Sequence, residues 1–341
     1  MPIKLYFTYE NKIAYRNLSQ LEKHQSGWTG FNTDLSRLQA GRAGAVFWSA
    51  YVNCKDFQIQ SSSVRDTLAQ IDLIHRLVER NPSVLEFAKT AADISRIHRT
   101  GKIASLIGVE GGHSIDGSLE TLRMFYRLGV RYLTLTHSCH SDLADSCTPK
   151  TPFHNGLSPF GHLAVKEMNR LGIMVDLAHV SADTMRDAIR VSEAPVIFSH
   201  SSAYGICNHP RNVPDDVLES LKDRDGIVMV NFYSGYLSNT TRATLDTVVQ
   251  HIAYISRIAG VEKVGFGSDF DGVELFPVGL EDVSKYPNLV RALLEYGFTT
   301  PQVRGFTGDN FLRVMKRVEE VASRSVSRIA EELLSQNKTC L

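Results

Sequence analysis

The chain has no uninterrupted apolar run approaching the ~18 residues that cross a bilayer, so no membrane-spanning helix is expected. It has no net charge, because 37 Lys and Arg balance 37 Asp and Glu. A surface field that would gather nucleic acid or anionic lipid is missing, and no nucleic-acid partner is expected. There is no low-complexity tract, no Gly/Ser/Pro-rich linker and no short repeat. There is no Cys-x-x-Cys pair either: Cys54, Cys139, Cys147, Cys207 and Cys340 are scattered, which excludes a cysteine-based zinc site. The opening Met1-Pro2-Ile3-Lys4-Leu5-Tyr6-Phe7 lacks the apolar stretch of a signal peptide, and the ending Gln336-Asn337-Lys338-Thr339-Cys340-Leu341 lacks a hydrophobic tail for lipid attachment. A cytosolic chain, or one whose ends are missing, is expected. Three Asn-x-Ser/Thr sequons, at Asn17, Asn239 and Asn337, point the other way, toward secretion.

What is present is an ordinary globular balance, 43% hydrophobic and 22% charged over 341 residues, with material for a large core. Seven short apolar runs occur, at Gly44–Val52, Ala104–Val109, Tyr132–Thr136, Met174–Ala178, Val196–Ser199, Ile227–Phe232 and Val264–Gly267. Nearly continuous apolar runs of this length read as strands buried on both faces, as in a parallel sheet. Helical patterns lie between them. Ser61 to Asn81 places Val64, Leu68, Ile71, Ile74 and Val78 on one face and stops at Asn81-Pro82. Ser158-Pro159 offers a cap before a first-turn proline, Phe160, Ala164, Met168 and Leu171 line one face, and Gly172 ends the pattern. Strand and helix alternating along the whole chain predict an α/β fold. A closed (β/α)8 barrel needs eight strands, and residues 3 to 40 supply none. An open seven-stranded sheet fits; a TIM-like barrel of the metal-dependent hydrolase type with its first strand missing is the sharper reading. Residues 1–320 then form one barrel domain, with 1–40 a lead-in and 321–341 a C-terminal tail.

Chemistry gathers at the carboxyl ends of the runs. Glu110, His137, His179, His200 and Asp269 each follow an apolar run. Such ends share one mouth in a barrel, where active sites are built. Imidazole nitrogen and carboxylate oxygen are ligands for zinc and similar divalent ions, and three protein ligands with an open position make a hydrolytic site. Glu110, flanked by Gly111-Gly112, has room to bridge two ions. His179 and His200 are read as metal ligands. His137 stays open between ligand and substrate contact, and Asp176, three residues before His179, between a supporting partner and a solvated strand residue. His113 and His140 are read as structural, and Arg211 alone as a surface residue.

Long segments carry a family resemblance. Ile107-Gly108-Val109-Glu110-Gly111-Gly112-His113-Ser114, Leu133-Thr134-Leu135-Thr136-His137, Asp176-Leu177-Ala178-His179-Val180-Ser181, Ile197-Phe198-Ser199-His200-Ser201-Ser202-Ala203, Arg211-Asn212-Val213-Pro214-Asp215-Asp216 and Gly265-Phe266-Gly267-Ser268-Asp269-Phe270-Asp271-Gly272 resemble, in order, segments of the membrane (renal) dipeptidases. The likeness runs from about residue 37 to 320. It implies a zinc-dependent dipeptidase on a (β/α)8 barrel, with two zinc ions per chain bridged by Glu110. His179 and His200 would hold one ion, and His137 would stabilise the oxyanion. Arg211, with Tyr236 beside it, would bind the terminal carboxylate, and Asp269 would meet the substrate amino group and carry the proton to the leaving amine. The implied substrates are dipeptides with free amino and carboxyl ends, cysteinyl-glycine conjugates included. The resemblance further implies a Cys54–Cys139 disulfide, a homodimer with Cys340 as candidate interchain bridge, and a lipid-anchored place on the extracellular face of the membrane.

The sequence departs from that pattern in three ways. The family's His-x-Asp motif on the first strand has no counterpart near the start, where His24 precedes Gln25-Ser26. About one zinc per chain is therefore expected, with reduced hydrolysis, and a non-catalytic zinc- or dipeptide-binding barrel is the alternative. A related barrel amidohydrolase acting on lactones or bases fits less well, because the Arg211 segment suits a terminal carboxylate. The signal and anchor segments of the family are missing. Asn239 stands where the family would pair a cysteine with Cys207, so Cys207 is expected to be free.

Overall fold

The computed structural model describes residues 1–13, 18, 21, 30–54, 63–239 and 242–325. The expectations at Asn17, His24, Ser61, Asn337 and Cys340 lie outside the described residues, as does most of the tail.

Eight strands form one parallel sheet: β1 (Ala45–Tyr51), β2 (Leu85–Phe87), β3 (Ile103–Glu110), β4 (Val130–Thr134), β5 (Met174–Asp176), β6 (Ile197–Phe198), β7 (Ile227–Val230) and β8 (Val264–Phe266). The main path runs β1-β3-β4-β5-β6-β7-β8, and β2 adds to the amino end of β3. The seven apolar runs are the seven strands of that path. β2, Leu-Glu-Phe, is too short and too polar to stand out in the sequence. Among the described residues no pairing joins β8 back to β1, so the sheet is an incomplete barrel, open between these two strands.

Side chains leave each strand to opposite faces, and the sheet separates two cores accordingly. Ala104 and Leu106 of β3 join Tyr132, Met174, Ile197 and Ile227 on the inner face. Val314, Met315, Val318 and Val321 of the helix Asn310–Arg324 join the same cluster. Ile103, Ile107 and Val109 face the other way, with Leu133, Val175, Phe198, Val228 and Val264, into the layer of surrounding helices. Burial on both sides is why these strands read as unbroken apolar runs.

The helices follow their sequence signals with two adjustments. The Ser158 hydroxyl accepts from the Gly161 amide at 2.9 Å, and Gly172 closes that helix (Pro159–Leu171) at φ 87°. In the helix Ser63–Glu79 the buried stripe runs through Thr67, Gln70, Ile71, Ile74, Leu77 and Val78. Leu68, expected on that face, is exposed. Those of the first forty residues that are described add to the core: Leu5, Ile13, Phe31, Leu35 and Leu38 are buried in it, and the helix Pro2–Thr8 packs against β1. Asp271, after β8, accepts from the Asn32 amide at 2.7 Å, and Lys4 stands 3.9 Å from the same carboxylate. The N-terminal segment is thus tied to both strands that flank the open edge.

Two outcomes follow from this packing. Alanine at Gly161 would gain up to ~1 kcal/mol in helix propensity, but its Cβ would collide with the Leu143 carbonyl oxygen. Gly161→Ala is expected to lose about 1–3 kcal/mol to overpacking, read as a lower urea midpoint at unchanged slope; a raised midpoint would contradict the packing. Cys54 and Cys139, 85 positions apart in the sequence, are disulfide-bonded, with Cα atoms 5.9 Å apart. Replacing both by serine is expected to cost about 2–4 kcal/mol of stability in the same experiment.

Candidate metal centre and substrate pocket

The carboxyl ends of β3, β4, β5, β6 and β8 deliver the site. Glu110 is the last residue of β3, and His137, His179, His200 and Asp269 follow β4, β5, β6 and β8 by two or three residues. Two of these loops are held in the left-handed backbone region at the functional side chain itself, His179 at φ 66° and Asp269 at φ 60°. Non-glycine residues kept there cost about 1–3 kcal/mol each, and such strain gathers where a side chain must be aimed.

Three donor atoms converge. Glu110 Oε1 lies 3.2 Å from His179 Nε2 and 3.3 Å from His200 Nε2, and the two imidazole nitrogens are 2.9 Å apart. Ligands at ~2.0–2.1 Å around a tetrahedral ion stand about 3.3 Å from one another, so the spacing suits a single zinc-sized ion. The donor chemistry agrees: two imidazoles and one carboxylate form a common catalytic zinc set. His137 Nε2 is farther out, 3.9 Å from Glu110 Oε1, and its ring lies 4.1 Å from that of His179. Glu110, His137 and His179 also form a group compact enough to share a metal ion. Geometry therefore leaves His137 at the margin, as the sequence did. Ser49 of β1 donates to Glu110 Oε2 at 3.1 Å, a contact that no sequence motif announces.

Electrostatics follow from burial and close contact. Burial works to raise the Glu110 carboxyl, but hydrogen bonds from His179 and His200 outweigh it and hold the group well below its usual value. Burial, helped by the Arg211 charge, drives His179 well below the ordinary imidazole value. His137 is lowered to about 4, again mainly by burial. Burial would lower His200 too, yet the nearby Asp269 and Glu110 carboxylates leave it raised. Asp269 is raised by burial, with the Glu110 charge adding to the effect. Neutral His137 and His179 beside an ionised Glu110 match the protonation states of a metal ligand set, and His200 must give up its proton when a metal binds.

Arg211 is buried, with 3% of its surface exposed, rather than on the surface as its sequence context alone suggested. Its Nη2 donates to the His200 carbonyl at 3.1 Å, and its guanidinium stands 5.2 Å over the Tyr236 ring. Nε has no partner, and no carboxylate pairs with this cation among the described residues. Asn212 holds the loop by donating to the Cys207 and Tyr236 carbonyls at 2.8 and 2.7 Å. Asn231 donates to Asp269 Oδ2 at 3.3 Å. Of the remaining histidines, His113 Nε2 meets the Val52 carbonyl at 2.8 Å and His140 Nδ1 meets Asp145 at 3.0 Å, both within loop scaffolding. The disulfide sits two residues beyond His137 and ties that loop to the end of β1, where the Tyr51 ring packs 4.5 Å from His137. Cys207 is free, its thiol donating to Asn239 Oδ1 at 3.1 Å.

Comparison with known proteins agrees with this geometry. The family model described as membrane dipeptidase (peptidase family M19) matches residues 4–328. The dipeptidase aclJ of Aspergillus oryzae is 49% identical over 322 residues, covering 92% of this chain and 75% of that protein. An uncharacterised dipeptidase of Schizosaccharomyces pombe is 47% identical over 332 residues, 93% of this chain and 79% of its own. Among solved structures, the dipeptidase AC, a metallopeptidase of family M19, superposes with a TM-score of 0.81 at 25% identity, covering 93% of this chain and 96% of that one. No helix among the described residues is long and apolar enough to cross a membrane. The chain belongs to the membrane dipeptidase family, peptidase family M19, which makes it a dipeptide hydrolase.

Proposed function

We propose that this chain is a zinc-dependent dipeptidase whose substrates carry both a free amino and a free carboxyl end, cysteinyl-glycine conjugates among them. The observation that carries the reading is the buried Arg211 guanidinium, which lies against the loop of His200 without a carboxylate partner among the described residues. A buried cation that no carboxylate contacts is costly. A substrate carboxylate would offset that cost and place the peptide bond against the three-donor centre.

Glu110, His179 and His200 would hold zinc, and this donor set accounts for about one ion per chain. Zinc there supplies a water nucleophile at neutral pH and polarises the scissile carbonyl. The protein's own groups do the rest. Arg211 binds the terminal carboxylate, with Tyr236 stacked beneath the guanidinium. His137, neutral at working pH, donates a hydrogen bond to the oxygen that becomes negative as water adds. Asp269 takes the proton released by the water and passes it to the amine nitrogen as the C–N bond breaks, and between these events it faces the substrate amino group. Its raised affinity for a proton suits a group that must both accept and release one.

Zinc-loaded protein is expected to hydrolyse a dipeptide with both ends free and to leave its C-terminal amide and N-acetyl counterparts uncut. Equal rates on all three would contradict the reading. Arg211→Ala is expected to raise KM by about 10–100-fold, the scale of a ~1.5–3 kcal/mol charged hydrogen bond, with metal content unchanged. Arg211→Lys keeps the charge but loses the fork, so its effect should be smaller; equal effects would make Arg211 structural.

A further inference from the structure

We propose that Asp176 and Ser199 are positioning residues that fix His200 as its Nδ1–H tautomer and so aim the Nε2 lone pair into the metal site. The proposal rests on the metal reading above only for its consequence; the tautomer itself follows from a chain of hydrogen bonds.

Asp176 ends β5 and is fully buried. Sheet register sets Thr134 of β4 beside it on one side and Ile197 of β6 on the other, so Ser199, two residues beyond Ile197, reaches the same carboxylate. Four donors meet its two oxygens. The amides of Ala178 and Ser199 donate to Oδ1 at 3.1 and 2.8 Å, and the hydroxyls of Thr134 and Ser199 donate to Oδ2, each at 2.5 Å. Ser199 Oγ also lies 2.8 Å from His200 Nδ1. A carboxylate offers acceptors only, and a hydroxyl has a single proton. That proton goes to Asp176, so the serine oxygen can only accept from the imidazole. Nδ1 therefore carries hydrogen in both protonation states, and once the ring is neutral and no longer donates to Glu110, Nε2, the atom that faces Glu110 and His179, has the free lone pair. His179 has no such arrangement, since its Nδ1 finds no partner among the described residues. One of the two imidazoles thus has its tautomer set by the sheet, as is usual for metal-ligating histidines.

The isosteric change Asp176→Asn reverses the chain. The two backbone amides require an oxygen at the Oδ1 position, so the new NH2 group must occupy the Oδ2 position and donate to Ser199. The serine proton then turns to His200 Nδ1, and hydrogen moves to Nε2, where it blocks coordination. Ser199→Ala cuts the chain and leaves both tautomers accessible.

The test uses the full chain with 15N-labelled histidine. Long-range 1H–15N spectra of the metal-free protein, recorded at alkaline pH where the imidazole is neutral, should show His200 protonated at Nδ1 in the wild type and at Nε2 in Asp176→Asn. A wild-type spectrum with hydrogen on Nε2 would overturn the proposal whether or not the variant folds. Zinc affinity measured by chelator competition should fall about 10–100-fold in Asp176→Asn, the usual effect of losing an outer partner, and by less in Ser199→Ala. In the Ser199→Ala background, Asp176→Asn should have little further effect, because the route to the imidazole is already cut. An undiminished effect there would show that the carboxylate acts through its charge and not through the tautomer. Wild-type protein that shows the Nδ1–H tautomer but binds no zinc would instead sink the metal reading alone.

Discussion

The site depends on one arrangement: a largely buried carboxylate, Glu110, whose Oε1 stands within hydrogen-bond distance of two imidazole nitrogens that follow different strands. Bringing three such groups out of water is unfavourable unless each meets the others or an ion. The parallel sheet makes the meeting possible. All its strands point their carboxyl ends the same way, so residues 110, 179 and 200, distant in sequence, become neighbours at one mouth. Much of the surrounding structure serves to keep them there. The disulfide pins the His137 loop to β1. The Ser146 hydroxyl donates to the His137 carbonyl at 2.5 Å and lies 3.3 Å from that of His179, joining the loops that bear the two rings.

A barrel that is open between β1 and β8 needs something against the exposed edges. Here the helix Pro2–Thr8 packs on β1, while Asn32 and Lys4 reach Asp271 beyond β8. The inner face is filled from the amino ends of the strands by the helix Asn310–Arg324, where Phe311 meets Phe47 at 5.5 Å between ring centres. The carboxyl ends remain available for chemistry. The open edge and the working mouth are therefore handled by different parts of the chain.

Much of this was legible in the sequence, for physical reasons. Strands buried on both faces must be continuously apolar, so seven of the eight stood out, and the ligand-type residues after them marked the mouth. β2 escaped because three residues with a central Glu carry no periodic signal. The N-terminal helix escaped because its burial comes from tertiary packing, which local pattern does not encode. The residues that hold the site in place were the hardest to find. Ser49, Thr134 and Ser199 are small polar groups in apolar strands, and their roles appear only once sheet register sets them beside Glu110 and Asp176. Sequence alone leaves Asp176 open between partner and solvated residue; full burial with four donors makes it a partner. Arg211 looked like a surface residue from its local context because burial of a loop cation depends on a neighbouring loop, here the one carrying Tyr236.

The central claim is that Glu110, His179 and His200 together hold the metal ion. X-ray absorption of the zinc-loaded protein tests it most directly. The account predicts a first shell of nitrogen and oxygen at about 2.0–2.2 Å, with multiple scattering from two imidazoles in the wild type and from one in His200→Ala. A sulfur-containing shell, or a wild-type spectrum unchanged by loss of His200, would contradict it.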